Sequence, residues 1–127
     1  MEFDEKAREN LEAAERLLPD ETGQRDGLSN AAASRAYYAA YLAVVHAAQR
    51  AHRPFTHDEK DYYRHDRLPT DARVWRLVDA DGSEDLAWLY GLRIKADYEE
   101  DHVDHDEASE ALDVATRLVH TILGEAA

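Results

Sequence analysis

The sequence predicts an all-α fold, an up-and-down antiparallel bundle of four to five helices. Three observations predict it. Apolar residues recur at helical spacing along several stretches, no stretch reads convincingly as a strand, and the segments between them are short. The first helix is expected from about Asp4 to Leu18, with Ala7, Leu11, Ala14 and Leu18 on one stripe and Pro19 ending it. Asp20 to Gly27 supply a loop. Ser29 or Asn30 then caps a long second helix reaching about Gln49 or Arg50, before Pro54.

Thr56-x-x-Glu59 has the form of a capping box and opens a short third helix. Pro69 is expected to interrupt, with Thr70 restarting a helical turn through Val78. Asp81-Gly82 reads as a turn, and Ser83 as the cap of a fourth helix over about Glu84 to Glu99. Asp104-x-x-Glu107 is a second capping box. It opens a last helix to about Leu123, closed by Gly124, with Ala108, Ala111, Leu112, Ala115, Val119 and Ile122 as its buried stripe.

At 127 residues the chain is expected to form one domain, residues 1–127. It holds no cysteine, which excludes disulfides and thiolate metal sites. The opening Met-Glu-Phe-Asp-Glu has no basic or apolar region of a signal peptide, and no apolar run approaches the roughly 20 residues of a membrane span. A cytoplasmic protein without a membrane role is the expectation.

The net charge is −13, and Lys6, Lys60 and Lys95 are the only lysines. Such a surface suits a saline cytosol, while a GC-rich genome alone would also favour arginine. Residues 50–76 differ from the rest. Seven basic residues there face five acids, with His52, His57 and His65 among them, so the stretch is net positive. It reads as a solvated surface or as an anion-facing island.

Charged groups also fall where helical periodicity asks for apolar ones. On the fourth helix Leu86, Leu89, Tyr90, Arg93 and Asp97 share one face, so Arg93 and Asp97 are expected to point inward, one turn apart. Buried charge must be paired, so this couple is either a register-fixing ion pair or part of a functional site. The second helix carries Ala33, Tyr37, Ala40, Tyr41 and Val44 on one face. Another face carries Arg35, Tyr38, Leu42, Val45 and His46, which places the helix between two layers. Arg35 is therefore expected to converge with Arg93.

These motifs, Ser34-Arg35-Ala36-Tyr37-Tyr38-Ala39 and Tyr90-x-x-Arg93-x-x-Ala96-Asp97-Tyr98, together with the proline break and final amphipathic helix, resemble the HEPN superfamily (higher eukaryotes and prokaryotes nucleotide-binding). The resemblance runs from about residue 4 to 123 and is to its small stand-alone prokaryotic branch. It implies a helical bundle that forms a homodimer. It also implies a toxin–antitoxin-like pairing with a minimal nucleotidyltransferase, and a nucleotide or RNA partner at an arginine-containing cleft. Many members are metal-independent endoribonucleases that use an Arg-x4–6-His motif, in which arginine stabilises charge at phosphorus and histidine moves protons.

The motif has no straightforward match here. His102 lies too far beyond Arg93, and Ala40, Tyr41 and Leu42 fill the window after Arg35. Arg50 and His57 meet the spacing, with Pro54 between them. The candidate catalytic residues are thus Arg93 and Asp97, and the candidate nucleotide- or RNA-binding residues Arg35, Tyr38, Arg93, Tyr98, Arg50 and His57. No cofactor, metal, membrane or DNA partner is expected. His102-x-x-His105 reads as a solvated loop, and neither a phosphate-binding glycine loop nor a serine elbow is present. A non-catalytic helical dimerisation module remains the third reading.

Overall fold

The computed structural model of the chain describes residues 2–18, 26–53, 63–98 and 103–124. Five helices follow in order: α1 (Phe3–Leu17), α2 (Asp26–Arg50), α3 (Leu68–Val74), α4 (Ala80–Tyr98) and α5 (His105–Leu123). There is no strand among the described residues, so the all-α expectation holds.

The centre is α2, which packs against α1, α4 and α5, while α3 packs on α4. Small side chains allow this central place. Ala32, Ala33, Ala36, Ala39, Ala40, Ala43 and Ala48 are all buried and let neighbouring helices approach closely. From α1 come Ala7, Leu11 and Ala14, and from α5 Ala108, Ala111, Val114, Ala115, Leu118 and Val119. The layers on both sides of α2 therefore belong to its own bundle.

Helix ends follow local chemistry, in places against the sequence reading. Asp104 accepts from the Glu107 amide while Glu107 reaches back, so the predicted capping box forms, and Gly124 closes α5 in the left-handed region (φ 72°). The Asp81-Gly82 turn does not form. Asp79 Oδ1 accepts the Gly82 N–H at 2.8 Å, which starts α4 at Ala80, before Asp81. Ser83 is then interior to α4 and donates to the Pro69 carbonyl at 2.7 Å, tying α4 to α3.

Pro69 does not interrupt either. It lies in the first turn of α3, where a missing N–H costs nothing. Ser29 and Asn30 sit within α2 instead of capping it. The Asn30 side chain accepts the Val103 N–H at 2.8 Å, which anchors the approach to α5. The expected helix from Thr56 lies outside the described residues.

Candidate functional site: a tyrosine and histidine cluster around Arg93

Three phenols of α2 set the floor. Tyr37 and Tyr41 lie one turn apart and are buried, and Tyr38 flanks them half-buried. A buried phenol needs a hydrogen-bond partner. Tyr41 finds one in the Tyr63 carbonyl at 2.7 Å. Tyr63, itself fully buried, donates to the Arg53 carbonyl at 2.6 Å and accepts from Gln49 Nε2 at 2.9 Å. These bonds hold the segment before α3 against the second half of α2 and deliver His65 into the cluster.

The His65 ring stacks on Tyr41 at 4.2 Å between centroids and lies parallel to Tyr90 of α4 at 6.0 Å. Its Nδ1 is hydrogen-bonded to the Tyr37 hydroxyl. Burial, and then the nearby Arg93 cation, hold His65 below the ordinary histidine value. Burial pushes the Tyr37 phenol far above its ordinary value, with the Tyr41, Tyr38 and Tyr90 phenols adding to it. At neutral pH Tyr37 therefore keeps its proton. In the imidazole tautomer in which the phenol donates to Nδ1, neutral His65 carries its own proton on Nε2, an atom with no protein partner among the described residues; in the other tautomer Nδ1–H donates to the phenol and Nε2 is an acceptor.

Arg93 reaches the same cluster from α4, its side chain 15% exposed. Nη2 donates to Tyr38 OH at 2.8 Å and, at the 3.5 Å limit, to Tyr98 OH. The guanidinium also lies over both rings, 5.4 Å from Tyr38 and 5.2 Å from Tyr98. Nε stands 3.0 Å from Asp97 Oδ2 without a hydrogen-bond alignment, so that contact is Coulombic. Burial works against the Arg93 charge. The Tyr38 and Tyr98 phenols and the Asp97 carboxylate outweigh it and raise its pKa further. Asp97 Oδ2 is held from α2 by Ser34 Oγ at 3.3 Å. Nη1 is left without a protein partner among the described residues.

Of the residues picked from sequence, Tyr38, Arg93, Asp97 and Tyr98 come together. Arg35 does not join them. It is exposed and donates to Asn10 Oδ1 of α1 at 3.3 Å, so the expected convergence of two arginines is corrected. Its neighbour Ser34, a full turn before Tyr38, faces α4 in its place. Arg50 is exposed at the end of α2, beside Ile122 and Leu123 of α5. His57 and His102 lie outside the described residues.

His65 was counted in the sequence only as one histidine of the basic stretch. Its signal was indirect: Tyr37, Tyr41 and Tyr90 occupy core positions and their hydroxyls demand polar company. Chemically, Nη1 of Arg93 is a donor and Nε2 of His65 a donor or acceptor by tautomer, both unclaimed by the described protein atoms, and Tyr98 adds a 70% exposed ring. Donors of this kind suit an oxyanion, and an exposed ring suits a base.

A search among curated proteins finds no significant match. The HEPN domain family does match, over residues 2–125, nearly the whole length of the 127-residue chain. The helical bundle agrees with that match, and the chain belongs to the HEPN family.

Proposed function

We propose that this HEPN domain binds the phosphate of RNA or of a nucleotide at Arg93. We propose further that it works as one half of a toxin–antitoxin-like pair with a minimal nucleotidyltransferase. The observation that carries the first part is the half-buried guanidinium of Arg93, held against two phenols with Nη1 unclaimed by the described residues. Binding phosphate there needs only fixed donors and a stacking surface. Arg93 would supply the charge, His65 a neutral N–H, Tyr98 the stacking face and Asp97 the restraint on Arg93.

The pairing with a nucleotidyltransferase rests on the family resemblance. Self-association is part of the same reading. On α4 Trp88, Gly91 and Tyr98 form an exposed stripe turned away from α2, and Tyr98 at its end reaches Arg93, so a second copy seated on the stripe would meet the site at Tyr98.

Metal-independent RNA cleavage is the competing reading, and the spatial meeting of Arg93 with His65 favours it. The tautomer decides between the two readings: with Tyr37 donating to Nδ1, Nε2 holds a proton and cannot accept one from a ribose hydroxyl, whereas with Nδ1–H donating to Tyr37 it can.

Purified protein is titrated with a fluorescent single-stranded RNA and with ATP, with and without chelator, at low and high salt. We expect chelator-independent binding that Arg93→Met removes, and little cleavage. Unchanged binding by a folded Arg93→Met variant would refute the phosphate site, and Arg93-dependent cleavage would establish the nuclease. Co-purification with a co-expressed minimal nucleotidyltransferase tests the pairing.

A further inference from the structure

We infer that a second site, separate from Arg93, takes a small organic anion: one compact oxyanion, phosphate or carboxylate, on an apolar body. It lies in a cleft of about 590 Å³ where the end of α3, the start of α4 and the last turns of α5 meet. Arg73, Arg76 and Arg117 line it, and Arg93 does not.

The guanidinium groups of these three arginines make no hydrogen bond or ion pair among the described residues. All three are exposed, and in a chain of 28 acids to 15 bases their grouping along one cleft makes a local basic patch. Asp81 and Asp85 line the same cleft, yet neither pairs with any of the three. Asp79 is already committed to the Gly82 amide. The cleft is thus split, with guanidinium groups from α3 and α5 and carboxylates from α4 held apart from one another.

Backbone geometry marks the same place. Arg76 has φ 60°, the left-handed region that disfavours any side chain. It sits just past α3, where its N–H bonds the Arg73 carbonyl at 3.0 Å and the Leu77 N–H bonds the Ala72 carbonyl at 2.8 Å. Helix ends of this kind take glycine by preference. An arginine there carries a conformational cost, as His52 (φ 56°) does past the end of α2, and Arg76 lines the cleft.

The ligand class follows from the lining. Leu77, Val78, Leu118 and Ile122 give an apolar floor, which favours an apolar body beside the charged head. The volume is that of a small-molecule site. The carboxylates of Asp81 and Asp85 restrict the charge to one end. An extended polyanion such as RNA would run from the arginines onto them and be repelled.

Calorimetric titration of the full chain with inorganic phosphate, octyl phosphate, octanoate and a short single-stranded RNA tests this. We expect octyl phosphate or octanoate to bind saturably and at least tenfold more tightly than inorganic phosphate. Arg117→Ala and Arg76→Gly should each weaken that binding at least tenfold, measured in the Arg93→Met background so that the phosphate site proposed at Arg93 does not contribute. Arg76→Gly is the sharper variant, because glycine suits φ 60° and keeps the fold while removing the guanidinium. The proposal fails if neither amphiphile saturates, if both folded variants bind like their Arg93→Met parent, or if RNA occupies the cleft more tightly than they do.

Discussion

The seams of α2 differ in what they add to apolar packing. Toward α1 and α5, the side chains those helices bury are alanine, valine and leucine, and the contact rests on removing apolar surface from water. Toward α4, the buried Leu86, Leu89 and Leu92 are joined by Tyr38–Arg93, Ser34–Asp97 and the Tyr37–Tyr90 ring pair. A polar seam gains little net stability, since each bond replaces one to water and burial penalises the charge. The difference teaches where to look for function. The α1 and α5 seams bury apolar side chains, whereas the α4 seam adds phenols and an ion pair to its leucines.

The largest effect on folding is expected in the apolar seam. Leu11→Ala should cost about 2–5 kcal/mol through lost burial and a residual cavity, measured by urea denaturation. RNA and nucleotide binding per folded molecule should not change. A comparable loss from Arg93→Met would break the contrast. That variant keeps an apolar stem of similar length, so its stability should stay within about 1 kcal/mol of wild type while phosphate binding disappears.

The next prediction separates the seams by pH. Burial and the Arg93 cation hold folded His65 below 6.5, so just under that value the unfolded chain binds a proton that the folded chain does not. The His65 contribution is therefore full above about pH 6.5 and is lost as pH falls through the lowered folded value. Tm measured from about pH 7.5 down to about pH 5 should decline in wild type, and His65→Asn should remove that part of the decline. An unchanged profile in the variant would mean that His65 is not the buried neutral group the cluster implies.

The same division explains what could be read from sequence. Apolar periodicity is local and repeats along the chain, so α1 and α5 were legible to within a residue or two at their ends. The capping box of Asp104 and Glu107 was legible because its partners lie three residues apart. Arg93, Asp97 and Tyr38 were legible as polar groups on apolar stripes. The rest depends on contacts that spacing does not encode. Asp79 captures an amide that the Asp81-Gly82 pair seemed to reserve for a turn. Arg35 and Tyr38 looked like one face, but the 60° between them sends Arg35 to Asn10. His65 arrives on a segment pinned by Tyr41 and Tyr63, 28 residues from the Tyr37 it bonds.

The smallest change in stability is expected on the outer face of α4, and it has the opposite sign. Gly91 is mid-helix and exposed, and a Cβ built on it meets nothing within 4 Å. Gly91→Glu should therefore stabilise the dilute chain by up to about 1 kcal/mol, because any better helix former improves on glycine there. In the proposed self-association, the same carboxylate would stand between two copies and oppose its own symmetry mate. Sedimentation should then show a loss of dimer alongside a small gain in urea midpoint. If mass is unchanged while the midpoint rises, copies do not meet on this face of α4.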